Sequence, residues 1–180
     1  MDAYFEIVER ILSSVRLGLR VCAAFYGHPG VFAYPSHRAI SQARAEGYFA
    51  VMLPGVSAES CMFADLGVDP GDQGCQSYEA TDFLLSKPKI DPRAALVLWQ
   101  IGLVGHSEHR LQYPNVGISL LLEALGYIYS PSYIVILYES ASYAVCESRI
   151  EQISIRDLAY AQMTTATTLY VPPLAKFNPK

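Results

Sequence analysis

Two glycine-proline segments contain the residues of this sequence that point most directly to chemistry. The first reads Tyr-Gly-His-Pro-Gly-Val-Phe at residues 26–32 and the second Pro-Gly-Val-Ser-Ala-Glu at residues 54–59, and each follows an apolar run. Glycine leaves the backbone bare for a ligand, proline stiffens the turn, and His28 adds one polar ring. Each segment alone fits either an ordinary strand-to-helix turn or a ligand loop. Because ligands in open α/β sheets bind beyond the carboxyl ends of strands, two such ends close together predict a crevice that both line.

The elements that must position these loops alternate between helix and strand. Apolar residues at helical spacing, followed by a glycine, predict a helix that begins at Asp2 and ends near Gly18. Further predictions are helices at residues 36–46 and 57–66 and strands at residues 19–26 and 49–53. Strand and helix in close succession indicate a parallel sheet, so the predicted fold class is α/β.

A charged stretch bracketed by prolines at residues 87–92 predicts a linker. We therefore expect one domain over residues 1–87 and a second over residues 93–180. The second domain is predicted to hold a helix at residues 116–125 and strands at residues 95–100, 133–138, 150–155 and 168–171.

Two groups of side chains raise the alternative of a metal site. Asp65, Asp69 and Asp72 match no known ion-loop spacing, so we interpret them as solvated turn acids. His106 and His109 have no second ligand cluster, which favours an exposed loop. We therefore predict no metal.

Composition excludes several classes of protein. With 52% hydrophobic and 17% charged residues in 180, the chain is expected to fold around a sizeable core. A net charge of −4 without a basic run argues against a nucleic-acid partner. Apolar runs are too short to cross a membrane and no signal peptide is visible, which predicts a cytoplasmic protein. The four cysteines lack CxxC spacing, and we expect Cys22 and Cys61 to be buried thiols. Thirteen tyrosines and the apolar residues 120–133 suggest a homodimer.

Several motifs in one order resemble the tetrapyrrole methylase superfamily, and more closely its borosin branch. They are the two glycine-proline segments, Phe-Ala-Asp-Leu-Gly-Val-Asp-Pro at residues 63–70, Gln-Ser-Tyr-Glu-Ala-Thr-Asp-Phe at residues 76–83, Leu-Trp-Gln at residues 98–100 and Thr-Thr-Leu-Tyr-Val-Pro-Pro at residues 167–173. The resemblance implies two small α/β domains with an S-adenosyl-L-methionine cleft between them. It also implies methylation of backbone amide nitrogens in a ribosomal peptide.

The resemblance assigns cofactor-binding residues position by position. They are Tyr26, His28 and Val31 in the first loop, Ser57 and Ala58 in the second, Gln100 at the start of the second domain, Tyr138 and Ser140 near a further contact, and Thr167 and Thr168 in the adenosine segment. Each position also has a structural interpretation. A buried glutamine can serve only the backbone, and threonines are good strand formers.

Amide methylation sets a demanding chemical requirement. Resonance makes the amide nitrogen a poor nucleophile, so its proton must be removed while the nitrogen is held in line with the methyl donor. In the borosin branch a tyrosine paired with an arginine four places earlier suits this task, because a cation favours the phenolate. Tyr4 matches the tyrosine, and the arginine would fall one place before Met1. The resemblance further implies an earlier first strand and glycine-rich loop, so we expect the first domain to be incomplete.

The favoured interpretation is a truncated or split S-adenosylmethionine-dependent peptide N-methyltransferase. Its peptide substrate is expected on a separate polypeptide, and another chain is a candidate source of the missing amino-terminal segment. Two alternatives stay open: a non-catalytic binding or dimerisation subunit, and a precorrin-type tetrapyrrole C-methyltransferase.

Overall fold

The computed structural model describes residues 2–105, 117–143 and 145–174. The chain forms two compact units, Met1–Cys61 and Met62–Lys180. Strand β1 (Cys75–Glu79) pairs in parallel with β2 (Ala95–Trp99), which ties residues on both sides of the proposed linker into one unit. The domain boundary at residues 87–93 stays a prediction.

The first unit is built on two helices, α1 (Asp2–Arg16) and α2 (Tyr34–Ala45). Val8 and Leu12 of α1 stand four residues apart, as do Ala39 and Ala43 of α2, so each pair lies on one helix face. Together these four side chains form a buried cluster. Helix α1 ends where predicted, with Gly18 at a φ of 77°. Both predicted helices are therefore confirmed.

The two strands predicted in this unit, at residues 19–26 and 49–53, are wrong. Residues 19–25 and 48–57 run without a turn or bend, yet neither segment pairs with a strand in the described part of the chain. Their side chains are largely exposed, including Leu19 at 59% and Phe49 at 93%. A strand requires a hydrogen-bonded neighbour, and local sequence supplies none. Cys22 is consequently exposed and Cys61 half-buried, which corrects the prediction that both are buried thiols.

A charged pair joins the ends of α1 and α2. Arg16 donates to Glu46 from Nε at 2.8 Å and from a terminal nitrogen at 2.5 Å. These bonds, with a weaker contribution from Gln42, lower the pKa of Glu46 from 4.5 to about 2. A depressed carboxyl pKa means that the bonds stabilise the fold above pH 4.5 and are lost as pH falls from 4.5 towards 2.

We expect Arg16→Gln to raise the titration midpoint of the Glu46 carboxyl towards 4.5, measured by NMR. Arg93→Gln removes an exposed arginine from the second unit and serves as the control that leaves Glu46 unchanged. A Glu46 midpoint that does not respond to Arg16→Gln would contradict the pairing.

The second unit is organised by a five-stranded sheet in the order β1-β2-β5-β3-β4. Its remaining strands are β3 (Ile134–Glu139), β4 (Arg149–Ser154) and β5 (Thr168–Val171). β1 and β2 are parallel, whereas β5 runs antiparallel to both β2 and β3, and β4 antiparallel to β3. All five residues of β2 are buried, as its unbroken apolar sequence predicts. The predicted strands of this half are confirmed.

Four α-helices and two 3-10 turns follow residue 57 in the described part of the chain. They are α3 (Ala58–Leu66), α4 (Pro70–Gln73), α5 (Ala80–Ser86) and α6 (Ile118–Gly126), with 3-10 turns at Ile101–Leu103 and Ile155–Tyr160. Leu121 and Leu125 of α6 are fully buried with Leu96 and Leu98 of β2.

The residues weighed as metal ligands have other roles or lie outside the description. Asp69 caps α4 by accepting from the amide of Gly71 at 2.8 Å. Among residues 2–105, 117–143 and 145–174, no group of three or more potential ligand side chains is placed to hold a metal. His106 and His109 lie outside the described residues. The helices of the described chain include none that is both long and apolar enough to span a membrane.

The hydroxyl of Tyr129 is a polar group inside the apolar core. Its hydroxyl is buried without a hydrogen-bond partner in the described part of the chain, and burial raises its pKa to about 12. The stacked Tyr133, by contrast, donates to the carbonyls of Pro172 and Pro173 at 3.0 Å each.

We expect Tyr129→Phe to leave the free energy of unfolding unchanged or raise it, because an unpaired buried hydroxyl is costly. Tyr133→Phe, the matched control, should lower it by about 1 kcal/mol, because two carbonyls lose their donor. Chemical denaturation measures both variants. If Tyr129→Phe lowered the free energy of unfolding more than Tyr133→Phe does, the Tyr129 hydroxyl would have a stabilising partner after all.

Candidate functional site

The two glycine-proline loops lie against each other in the first unit. A Cβ added to Gly55 would sit 2.9 Å from the carbonyl oxygen of Gly27, so only glycine allows this approach. Gly27 has a φ of 73°, a conformation that side-chain-bearing residues rarely adopt. The two loops are therefore in contact, and the crevice that both would line stays a prediction. Their facing surface consists of bare backbone.

His28 shapes the first loop. Its Nδ1 accepts from the amide of Gly30 at 2.9 Å, and its carbonyl accepts from the amide of Val31 at 3.2 Å. An accepting Nδ1 carries no proton, so the neutral ring presents an N–H at Nε2. Tyr26 is 80% exposed and Val31 39% exposed. One ring nitrogen of His28 therefore holds the loop's own turn in place.

Ser57 and Ala58 begin α3. The Oγ of Ser57 accepts from the amide of Ser60 at 3.2 Å, and its carbonyl accepts from the amide of Cys61. Ser57 is buried and Ala58 exposed. This is the geometry of a serine N-cap, which places the start of α3 directly after the second loop.

In the second unit, strand pairing brings five of the predicted residues to one end of the sheet. Leu98 of β2 pairs with Leu169 of β5, and Tyr138 of β3 pairs with Thr168 of β5. Gln100 therefore lies beside Thr167, whose carbonyl accepts from the amide of the residue after Gln100 at 3.1 Å. Ser140 follows β3 at the same end.

Gln100 adopts a left-handed conformation with a φ of 58°. Such a backbone costs a residue with a side chain roughly 1–2 kcal/mol and occurs most often at functional sites. The chain then turns at Gly102, where an added Cβ would lie 2.3 Å from the carbonyl oxygen of Thr164. This close backbone contact holds the turn after β2 against the turn before β5.

The hydroxyl of Thr167 is fully used inside the protein. It accepts from the amide of Thr164 at 2.7 Å and donates to Glu139 Oε1 at 2.5 Å. Glu139 also accepts from Arg149 at 3.0 Å, and Arg149 contacts Glu151 at 2.5 Å. The Thr167 hydroxyl therefore holds the turn in shape. A ligand at this position would meet the backbone of the turn and not this hydroxyl.

Glu139 and Arg149 were missed by the sequence analysis. They face each other across β3 and β4. In the sequence, Glu139 directly follows one predicted strand and Arg149 directly precedes the next. These positions alone do not show that the two side chains are partners.

Tyr138 is fully buried, and its hydroxyl donates to Asp65 at 2.8 Å. Hydrogen bonds from Ser148 and then Tyr138 lower the pKa of the Asp65 carboxyl. The pair joins the last turn of α3 to the central sheet within the second unit. Tyr4 lies on α1, is 40% exposed and has its ring centroid 6.2 Å from that of Tyr34.

Comparisons with known sequences identify the relatives of this chain. Residues 1–159 match the family model for tetrapyrrole (corrin/porphyrin) methylases. A type III borosin cyclic peptide precursor and methyltransferase from Anomoporia bombycina is 44% identical over 97% of this chain and 21% of its own length. A type I counterpart from Coprinopsis marcescibilis is 41% identical over 97% of this chain and 46% of its own length. The chain thus spans less than half the length of these curated relatives.

Solved structures show the same fold at lower identity. The methyltransferase CobJ is 18% identical, with a TM-score of 0.64 over 96% of this chain and 74% of its own. Uroporphyrin-III C-methyltransferase from Thermus thermophilus, complexed with S-adenosyl homocysteine, is 16% identical, with a TM-score of 0.63 over 93% of this chain and 69% of its own. The predicted α/β class and the family resemblance are confirmed, and this chain belongs to the tetrapyrrole (corrin/porphyrin) methylase family.

Proposed function

We propose that this chain is the methyltransferase part of a borosin-type system, which uses S-adenosyl-L-methionine to methylate backbone amide nitrogens of a ribosomal peptide. The observation that carries the proposal is the identity to curated relatives. It is 44% for the Anomoporia bombycina protein and 41% for the Coprinopsis marcescibilis protein, each over 97% of this chain. Each of these relatives is named both a methyltransferase and a cyclic peptide precursor.

The residues present fit S-adenosyl-L-methionine in two half-sites. In the first unit, Gly27 and Gly55 leave the backbone uncovered close to Ser57, the N-cap of α3, and a helix N-terminus suits a carboxylate. In the second unit, Gln100 offers both an amide donor and a carbonyl acceptor next to the turn that Thr167 shapes. When bound, the cofactor supplies an electrophilic methyl group.

Tyr4 is our candidate for moving the amide proton. A phenol can accept a proton when a neighbouring cation favours its ionised form. The family resemblance implies an arginine as that cation. The residues of the two half-sites would orient the cofactor, while Tyr4 would act on the peptide.

Two alternatives remain as candidate functions. A non-catalytic binding or dimerisation subunit is supported by the exposed apolar segments of the first unit. A tetrapyrrole C-methyltransferase is supported by the shared fold with CobJ, but at 18% identity that likeness concerns fold alone. The much higher identity to the borosin relatives favours the peptide substrate.

The proposed partners are a peptide on a separate polypeptide, a second copy of this chain and a chain that supplies a missing segment. Leu120 at 56% exposure and Tyr127 at 81% make α6 and the turn after it the candidate dimer surface. The cytoplasmic location and the absence of a nucleic-acid partner stay predictions.

We expect a homodimer at micromolar concentration that Leu120→Glu converts to a monomer, measured by light scattering. An exposed apolar side chain in a dimer surface loses its partner when it becomes charged. Leu85→Glu, at an exposed leucine of α5, is the control. A monomeric wild-type chain would contradict the prediction.

Isothermal calorimetry with S-adenosyl homocysteine tests the cofactor sites. We expect weak binding by the chain alone, and at least a tenfold loss of affinity in Gln100→Ala and in Ser57→Trp. Gln152→Ala, an exposed glutamine of β4, is the matched control and should bind like the wild type. Unchanged affinity in both site variants would contradict the proposed half-sites.

A further inference from the structure

Glu139 is a charged residue to which the proposed function assigns no role, although it lies at the sheet end where the proposed cofactor residues meet. It is the last residue of β3, and only 20% of its side chain is exposed. Its Oε1 accepts from the Thr167 hydroxyl at 2.5 Å and from Arg149 at 3.0 Å. Because Arg149 is also only 30% exposed, these hydrogen bonds are shielded from water and are stronger than the same bonds at a surface.

The bond to Glu139 sets the direction of the Thr167 hydroxyl. Thr167 is fully buried, and a hydroxyl has one hydrogen to donate and two lone pairs that accept. Because its hydrogen is directed at Glu139, a lone pair faces the amide of Thr164, which donates at 2.7 Å. The Thr167 amide in turn donates to the Thr164 carbonyl at 3.2 Å. Two bonds thus close the turn at residues 164–167, and one of them depends on the direction in which Glu139 holds the hydroxyl.

This turn also holds the turn that follows β2. The Thr167 carbonyl accepts from the amide of Ile101 at 3.1 Å, and the Thr164 carbonyl lies where a side chain on Gly102 would collide with it. Ile101 directly follows Gln100, whose left-handed backbone has a φ of 58°. Such a conformation persists only where its surroundings impose it. Contacts therefore run without a gap from the carboxylate at the end of β3 to the backbone around Gln100.

We propose that Glu139 is a positioning residue for the second cofactor half-site. By orienting the Thr167 hydroxyl, it holds the turn at residues 164–167 and, through that turn, the backbone around Gln100. The inference deepens the proposed function and rests on it for what the half-site binds.

The chain offers a matched comparison for Glu139. Glu151 contacts the same arginine, Arg149, at 2.5 Å. In the part of the chain that the structure describes, no hydrogen bond joins Glu151 to Thr167. Removal of either carboxylate therefore takes one partner from Arg149, but only the removal of Glu139 takes the acceptor from the Thr167 hydroxyl.

Isothermal calorimetry with S-adenosyl homocysteine measures the effect on the half-site. We expect Glu139→Ala to lower the affinity at least tenfold, because the hydroxyl loses its acceptor and can turn away from the Thr164 amide. Glu151→Ala should bind like the wild type. Glu139→Gln keeps an oxygen at the Oε1 position, which both donors reach, and should bind within about threefold of the wild type. A role of Glu139 as a charge alone would weaken binding equally in the glutamine and alanine variants, and that result would overturn the proposal.

A thermodynamic cycle tests whether Glu139 acts through the hydroxyl. Thr167→Val removes the hydroxyl and keeps the volume of the side chain. In the Thr167→Val background, Glu139→Ala should change the affinity for S-adenosyl homocysteine less than twofold, because no hydroxyl is left to orient. Losses that add in the double variant would overturn the proposal.

Amide hydrogen exchange gives a readout that does not need the cofactor. The amides of Thr164 and Ile101 should exchange at least tenfold faster in Glu139→Ala and at the wild-type rate in Glu151→Ala. The amides inside β2 should keep their wild-type rates in both variants, which shows that the sheet stays folded. Unchanged exchange at Thr164 and Ile101 in Glu139→Ala would overturn the proposal.

The two readouts separate a failure of this inference from a failure of the proposed function. If the wild type does not bind S-adenosyl homocysteine, the proposed function is contradicted, and the exchange rates still decide whether Glu139 holds the two turns. If the wild type binds it and Glu139→Ala binds it equally well, the positioning role is wrong and the cofactor site stands.

Discussion

Replacing Gly102 with alanine is expected to lower the free energy of unfolding by roughly 1–3 kcal/mol, the usual cost of forcing extra volume into a packed site. The new Cβ would lie 2.3 Å from the carbonyl oxygen of Thr164 and 3.0 Å from its carbonyl carbon. Both are backbone atoms, so no side chain can rotate away. The turns at Gln100 and Thr167 must separate, and the affinity for S-adenosyl homocysteine should fall at least tenfold.

Gly126→Ala is the matched control, because a Cβ at the end of α6 meets nothing within 4 Å. Alanine is the better helix former there, so stability should stay level or rise by up to about 1 kcal/mol. Chemical denaturation and calorimetry measure both variants. If Gly102→Ala were as stable as the wild type, the close contact between the two turns would be wrong.

Replacing Tyr4 with phenylalanine is expected to reduce peptide methylation at least a hundredfold in an active assembly that contains this chain. The change removes the hydroxyl proposed to accept the amide proton and keeps the ring, which lies near Tyr34. Proton transfer by a positioned side chain typically contributes 10²–10⁴-fold to a rate, roughly the loss expected here.

Mass spectrometry of a peptide that corresponds to the precursor part of the Coprinopsis marcescibilis relative measures added methyl groups. Tyr160→Phe, at an 87% exposed tyrosine, is the control and should methylate normally. If the assembly with Tyr4→Phe methylates the peptide as fast as the wild type, a group other than Tyr4 moves the proton. This conclusion does not depend on a change in cofactor binding.

Local sequence determined most of the helices and the sheet of the second unit. The spacing of Val8 and Leu12, with Gly18 as a stop, predicted α1, because these signals act within a few turns of the chain. The unbroken apolar run of β2 and the boundaries of β5 were likewise readable. The two glycine-proline loops were predicted from their glycine and proline residues, and so was their approach to each other.

Tertiary structure decided which extended segments became strands. Residues 19–26 and 49–53 have strand sequences as strong as β2, yet they stay unpaired because pairing depends on a neighbour that no local pattern encodes. The polar β1 was missed for the converse reason. Its Gln76 bonds the backbone of Asp91 through both amide atoms, at 2.9 and 3.0 Å, and parallel pairing with β2 makes it a strand.

The same division holds for the candidate site. Motifs identified Gln100, Tyr138 and Thr167 one by one, and only the antiparallel pairing of β5 with β2 and β3 brings them to one end of the sheet. The structure also decided that the Thr167 hydroxyl bonds Glu139, and that Tyr138 bonds Asp65, 73 positions away in sequence. Hydrogen bonds between side chains depend on distance in space, whereas sequence patterns report on residues that are close along the chain.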